Sequence, residues 1–180
     1  LLEGAPDALR FSDHLRGQGP AFFEQARRAG LEGVVSKRAD SPYREGRGGD
    51  WRKAKCRLSQ EVVIGGWTLP SDGRASIGAL HVGFHEDGQL VYAGKVGSGF
   101  SDRLLTDLQH RLDARKRDAC PFASVAAEMR RGARWVEPDL VAQVEFTQWT
   151  DEGRMRQPVF LGLREDRDAA TERFVAFFAD

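Results

Sequence analysis

The chain has 180 residues, 41% hydrophobic and 30% charged, with 27 basic and 27 acidic side chains and a formal net charge of +0. That composition belongs to one ordinary folded domain or two small ones, and it excludes a protein that coats nucleic acid through overall charge, so any such interface has to be a local patch. Its apolar runs fall well short of the roughly 20 residues of a bilayer-crossing helix, and the Leu1-Leu2-Glu3-Gly4 start lacks the basic and apolar stretches of a signal peptide, so a cytoplasmic protein is expected.

In chain order, residues 9–14 alternate as a short strand would. A helix follows, with Pro20 at its first position, Phe22, Phe23, Ala26 and Ala29 at helical spacing, and Gly30 as a left-handed cap. Residues 31–37 and 51–57 read as strands joined by a loop rich in glycine and turn formers. After Leu58 the pattern becomes a meander: strands at 61–69, 77–84 and 90–96 end at turn signals, Glu86-Asp87-Gly88 among them. One helix interrupts it, with Ser101 as N-cap, Phe100 positioned to staple onto Leu105, and Leu104, Leu105, Leu108 and Leu112 as an apolar stripe suited to plugging a barrel. Residues 113–134 form a charged connection, strands return at 140–149 and 155–163, and a last apolar helix is expected over 171–178. Strands, one inserted helix and more strands predict a small antiparallel barrel of the oligonucleotide-binding (OB) type. The first part is too small to bury its own core and reads as the closing elements of a larger domain. The division expected is 1–58 and 59–180, in the α+β class.

Cys56 and Cys120 stand apart, with neither a disulfide framework nor zinc-ligand spacing around them. His14, His81, His85 and His110 are scattered outside any nucleophile or metal pattern. Arg115-Lys116-Arg117, Arg130, Arg131 and Arg134 fit either a track for nucleic-acid phosphates or a solvated surface, and Trp67, Trp135 and Trp149 either base stacking or barrel packing.

Three segments carry more specific chemistry. Glu32-Gly33-Val34-Val35-Ser36-Lys37 puts a carboxylate at a strand end beside a glycine, where a hard cation can be held and phosphate can approach the backbone. Trp51-Arg52-Lys53-Ala54-Lys55 places two lysines on one face of a strand, because side chains alternate with period two, and two ammonium groups suit one phosphate. Arg156-Gln157-Pro158-Val159-Phe160-Leu161-Gly162-Leu163-Arg164-Glu165-Asp166-Arg167 brings guanidinium forks that suit bidentate phosphate contact. Alone, each also has a bland reading as solvated surface or edge strand.

In order and spacing these three segments resemble the last three motifs of ATP-dependent DNA ligases, most closely the ligase domain of bacterial DNA ligase D, an end-joining enzyme. The resemblance implies the end of a nucleotidyltransferase domain followed by an OB barrel. It also implies a three-step reaction: a lysine attacks ATP, AMP passes to a 5′-phosphate at a nick, and the 3′-hydroxyl displaces AMP. Glu32 would be the acid for Mg2+ or Mn2+, Lys53 and Lys55 the α-phosphate contacts, and Arg156, Arg164 and Arg167 the phosphate contacts of the last motif, Arg167 standing where the family usually has lysine. Lys37 would face the nucleotide or solvent, and Asp166 would orient phosphate or simply make a turn. Apart from the resemblance, Arg44, Arg47, Arg52 and Arg57 surround the lysine pair in the sequence, which leaves a phosphate-lined DNA path open there as well. The Lys-x-Asp-Gly tetrapeptide whose lysine carries AMP is not found in these residues, so the chain alone is expected not to adenylate itself. Nicked or broken DNA is the expected partner, with bacterial Ku and polymerase or nuclease modules implied by the same resemblance. Two alternatives stay open: a non-catalytic OB module that binds nucleic acid, and an RNA-capping or RNA-ligase nucleotidyltransferase.

Overall fold

The computed structural model describes residues 13–42, 44–46, 48–70 and 76–173. It falls into two compact units that part between Cys56 and Arg57.

In the first unit, helix α1 (Gly19–Arg28) starts with proline in its first turn and ends as its glycine requires. Gly30 has φ +67°, Leu31 N–H donates to the Ala26 carbonyl at 2.9 Å and Gly30 N–H to Arg27 at 3.2 Å, the paired bonds of a Schellman cap. The chain then enters β1 (Gly33–Lys37), which pairs antiparallel with β2 (Trp51–Lys55) in the register Gly33–Lys55, Val35–Lys53 and Lys37–Trp51. Both strands are shorter than their expected ranges. Of the strand expected at 9–14, only Asp13 and His14 lie within the described residues, and they are not in a strand.

The second unit begins with β3 (Leu58–Thr68), β4 (Ala79–Glu86) and β5 (Gln89–Val96). Asp87 and Gly88, at φ 49° and 78°, make the tight turn between β4 and β5 that an Asp-Gly pair favours. Helix α2 (Asp102–Asp113) follows, with the Ser101 side chain accepting from Leu104 N–H at 3.4 Å as N-cap. Next come β6 (Lys116–Arg117), the one-turn α3 (Ala127–Arg130) and the long β7 (Ala133–Phe146). The β8 (Gln148–Trp149) and β9 (Met155–Arg156) hairpin, β10 (Val159–Leu163) and a 3-10 turn (Ala169–Thr171) complete the described chain.

The strands run in the order β10-β7-β3-β4-β5, and Phe160 N–H of β10 donates to the Ser98 carbonyl just beyond β5 at 2.8 Å. That contact brings the two edges of the sheet together, giving a five-stranded Greek-key barrel of OB type. Leu108 and Leu112 of α2 are fully buried against Val62, Ile64, Val82, Val144 and Phe146, so the helix closes the barrel core as its stripe predicted. Trp67 and Trp149 pack in this same core.

A second apolar cluster lies on the outer face of the sheet, joining Val63, Leu90, Tyr92, Val125, Val141 and Ala169 around Phe122. Gly65 of β3 and Gly83 of β4 form its floor, and a Cβ on either would fall 2.5–2.9 Å from ring or Pro121 carbons. The connection at 113–134 is therefore a packed cover, with Trp135 against it. Two expectations need correction here. Strand β7 begins at Ala133 rather than at 140, because the register slips between Ile64 and Gly66 and the irregularity accommodates Pro138, which a regular ladder would not. Thr171 ends a 3-10 turn and Arg173 lies in a bridge to His85, so an α-helix does not start at residue 171, and the remainder of the expected helix lies outside the described residues. Among the described residues no helix is long and apolar enough to cross a membrane.

Candidate functional site

Antiparallel pairing puts directly opposed residues on the same face of a sheet, so Val35, Lys37, Trp51, Lys53 and Lys55 share one face of the β1–β2 pair, with Gly33 opposite Lys55. At that end the glycine is required by packing. A Cβ at residue 33 would sit 2.8 Å from the Lys55 Cα and closer still to the Ala54 carbonyl oxygen. Lys55 therefore faces a glycine across the pair, with no side chain opposite it. Glu32 stands at the start of β1, its Oε1 accepting from Lys53 Nζ at 3.0 Å, with the two side chains 61% and 55% exposed. The pair is open to water, so it contributes little stability and both charges are available to a ligand. Lys37 is turned differently: its Nζ donates to the carbonyl oxygens of Ser41, at 2.6 Å, and Arg38, at 3.4 Å, closing the turn after β1. Trp51 and Val35 are both exposed, at 48% and 62%, an apolar border on a polar face.

In the second unit Arg164 follows β10 and is bound from both sides. Asp166 accepts from Nε and from Nη2, each at 2.8 Å, while Nη1 donates to Glu61 at 2.8 Å and Gln143 at 2.9 Å. The Arg164 guanidinium holds the Asp166 carboxyl down at about 2, and the same hydrogen bonds raise the arginine further above its already high value. Asp166 therefore orients Arg164 within its own loop. Glu165 makes an ion pair with Arg111 of α2 at 2.8 Å, and Arg167 lies 3.6 Å from Glu61. Arg156 is exposed on the β8–β9 hairpin, at the opposite end of β10 from Arg164. The structure thus gathers Arg164, Asp166 and Arg167 into one cluster and leaves Arg156 apart from it.

Sequence reading did not single out Glu61 or Gln143. They sit 82 residues apart (143 − 61) and become neighbours only through the β3–β7 register. The basic triplet is also explained locally, since Arg115 pairs with Asp139, Lys116 with Asp113 and Arg117 with Glu137. Arg134 stacks over Trp67 at 4.7 Å, and Arg57 pairs with Glu145 at 2.8 Å. Of the expected DNA path, Arg47 lies outside the described residues, whereas Arg44 and Arg52 are exposed. Both cysteines are free thiols. Among the described residues no group of three or more His, Cys, Asp or Glu side chains gathers into a metal cage.

Residues 73–167 match the family model described as the ATP dependent DNA ligase C terminal region, over half of the chain. The chain is 44% identical over 174 residues to the multifunctional non-homologous end joining protein LigD of Pseudomonas aeruginosa, covering 94% of this chain and 21% of that protein. It is 42% identical to the LigD of Mycobacterium tuberculosis over 172 residues, 93% of this chain and 23% of that one. Among solved structures it resembles the ligase domain of M. tuberculosis LigD, with a TM-score of 0.65 and 40% identity over 89% of this chain and 53% of that chain. A mycobacterial DNA ligase D complexed with ATP and MES is similar at a TM-score of 0.59 and 41% identity, covering 88% and 52%. The chain thus spans under a quarter of the curated relatives and about half of the solved ligase domains. With the matched region covering the barrel from β4 onward together with its arginine loop, the chain belongs to the ATP-dependent DNA ligase family, as a C-terminal region of the kind found in LigD.

Proposed function

We propose that this chain supplies the phosphate-handling half of a DNA ligase that joins nicked or broken DNA through lysyl-AMP and DNA-adenylate intermediates, in end-joining repair. The observation that carries the reading is the β1–β2 face, where Lys53 and Lys55 share one side, Glu32 lies 3.0 Å from Lys53, and Gly33 puts no side chain opposite Lys55. Two ammonium groups there hold the α-phosphate of ATP and then of AMP, stabilising charge as pyrophosphate departs. Arg164, with Arg167 beside it, orients the β- and γ-phosphates during the first step only, since later steps have no pyrophosphate to orient. Arg156 and Lys37 have supporting roles at most, the former as an exposed cation toward DNA or nucleotide and the latter as the closure of the β1 turn.

Glu32 fits a hard cation such as Mg2+ or Mn2+, because such an ion is held through one or two carboxylates and substrate phosphates rather than a dedicated protein cage. When bound, the ion would neutralise phosphate charge. Bacterial Ku and polymerase or nuclease modules would be the protein partners, and the cytoplasm, at the nucleoid, the compartment. A purely nucleic-acid-binding barrel is the weaker reading, since it gives the Glu32–Lys53–Lys55 arrangement nothing to do.

The test compares two substrates with the complete ligase: ordinary nicked DNA with ATP, and nicked DNA already carrying AMP on its 5′ end. Lys53→Ala and Lys55→Ala should lose roughly 10²–10³ in rate on both. Arg164→Ala should lose a similar factor with ATP and recover largely on pre-adenylated DNA. Equal loss on both substrates would assign Arg164 to DNA binding or barrel stability instead.

A further inference from the structure

Glu61 of β3 and Gln143 of β7 are direct cross-strand partners on the outer wall of the barrel, and both accept from the single Nη1 of Arg164. Gln143 is itself fixed, its Nε2 donating to Ser59 Oγ at 2.7 Å, which turns its amide oxygen toward the arginine. Asp166 lies two residues from Arg164 in the same loop, whereas Glu61 and Gln143 belong to the strands of the wall. Guanidinium has five N–H donors, and the contacts to Asp166, Glu61 and Gln143 commit four of them. A triphosphate needs the same fork, so Arg164 has to give up partners before it can orient a leaving group.

We propose that Glu61 is a positioning residue that latches Arg164 to the barrel wall and competes with ATP phosphates for it. The proposal rests on the assignment of Arg164 to the first step. Glu61 is the partner best placed to act as the latch: its side chain is 22% exposed, against 66% for Asp166, so its charge is less screened, and it lies within 3.6 Å of Arg167 as well. Carboxylate and phosphate are alternative occupants of one guanidinium, and removing the carboxylate's charge tilts the exchange toward phosphate.

The experiment measures self-adenylation of the complete ligase against ATP concentration. Glu61→Gln keeps the size and an acceptor oxygen while removing the charge, and it should lower the KM for ATP roughly fivefold, the worth of one partly exposed ion pair. Sealing of pre-adenylated nicks should stay unchanged. In an Arg164→Ala background the same substitution should give no gain, because the latch has lost its occupant. Gln143→Ala, which removes the neutral acceptor, should shift KM in the same direction and serves if Glu61→Gln melts early. An unchanged or higher KM in the folded variants overturns the latch. A gain that persists without Arg164 also overturns it, showing a general field effect on ATP. Normal adenylation by Arg164→Ala alone would instead defeat the underlying role of Arg164, and that result is separable from the other two.

Discussion

Acid should destabilise this protein through one buried histidine. His81 of β4 is fully buried, with Nδ1 3.0 Å from the Tyr92 hydroxyl, its ring 5.1 Å from Trp135, and Nε2 buried without a hydrogen-bond partner. Burial first, and the nearby Lys95 charge second, hold its imidazole down at about 4 from an ordinary 6.5. The unfolded chain therefore binds a proton that the folded one refuses between those values. Stability from this site is complete above about 6.5 and is lost as pH falls toward 4. Each tenfold loss of proton affinity on folding is worth about 1.4 kcal/mol, so the whole effect is about 3 kcal/mol, most of it already gone at pH 4.5. Glu172 shifts the other way, its carboxyl raised by burial and by Glu61, so the wild-type profile alone mixes two opposing slopes. The comparison that isolates the histidine is urea unfolding of wild type and His81→Gln at pH 7.5 and pH 4.5. Glutamine keeps a polar partner for Tyr92 and has no proton to gain, so its stability should fall less on acidification by about 2–3 kcal/mol. If both proteins lose stability equally between the two pH values, burial of a neutral His81 is not what opposes acid.

Phe122→Ala should cost about 3–5 kcal/mol in urea unfolding, because the ring seats on Gly65 and Gly83 and meets Tyr92 and Trp135 edge-on at 5.1 and 5.9 Å. A change below about 1 kcal/mol would show the 113–134 cover to be dispensable to the core. Gly33→Ala should reduce self-adenylation of the complete ligase at least about tenfold, since a methyl group there collides with the Ala54 and Lys55 backbone and parts β1 from β2. Wild-type labelling with ATP by that variant would count against the β1–β2 face as the phosphate site.

Much of the barrel is legible in the chain itself because its signals are local. Asp87-Gly88 can make only a few turns, Ser101 before an apolar stripe caps a helix, and Gly30 ends one, each from backbone preferences within a few residues. Period-two alternation likewise places Lys53 and Lys55 on one face before any fold is known. The three motif segments carried the family resemblance for the same reason: each is contiguous. Pairing between distant segments decides the remainder. Pro138 looks like a strand breaker until the slip opposite Ile64 and Gly66 gives it a place in β7. Phe122 looks like part of a loop until two glycines on neighbouring strands open a seat for it. The partners that hold Arg164 come from β3 and β7, and no spacing within the last motif points to Glu61 or Gln143. Residue types and local periodicity determine which groups can carry charge to a phosphate, whereas strand register, set by burial over the whole barrel, determines which of those groups are already held by another side chain.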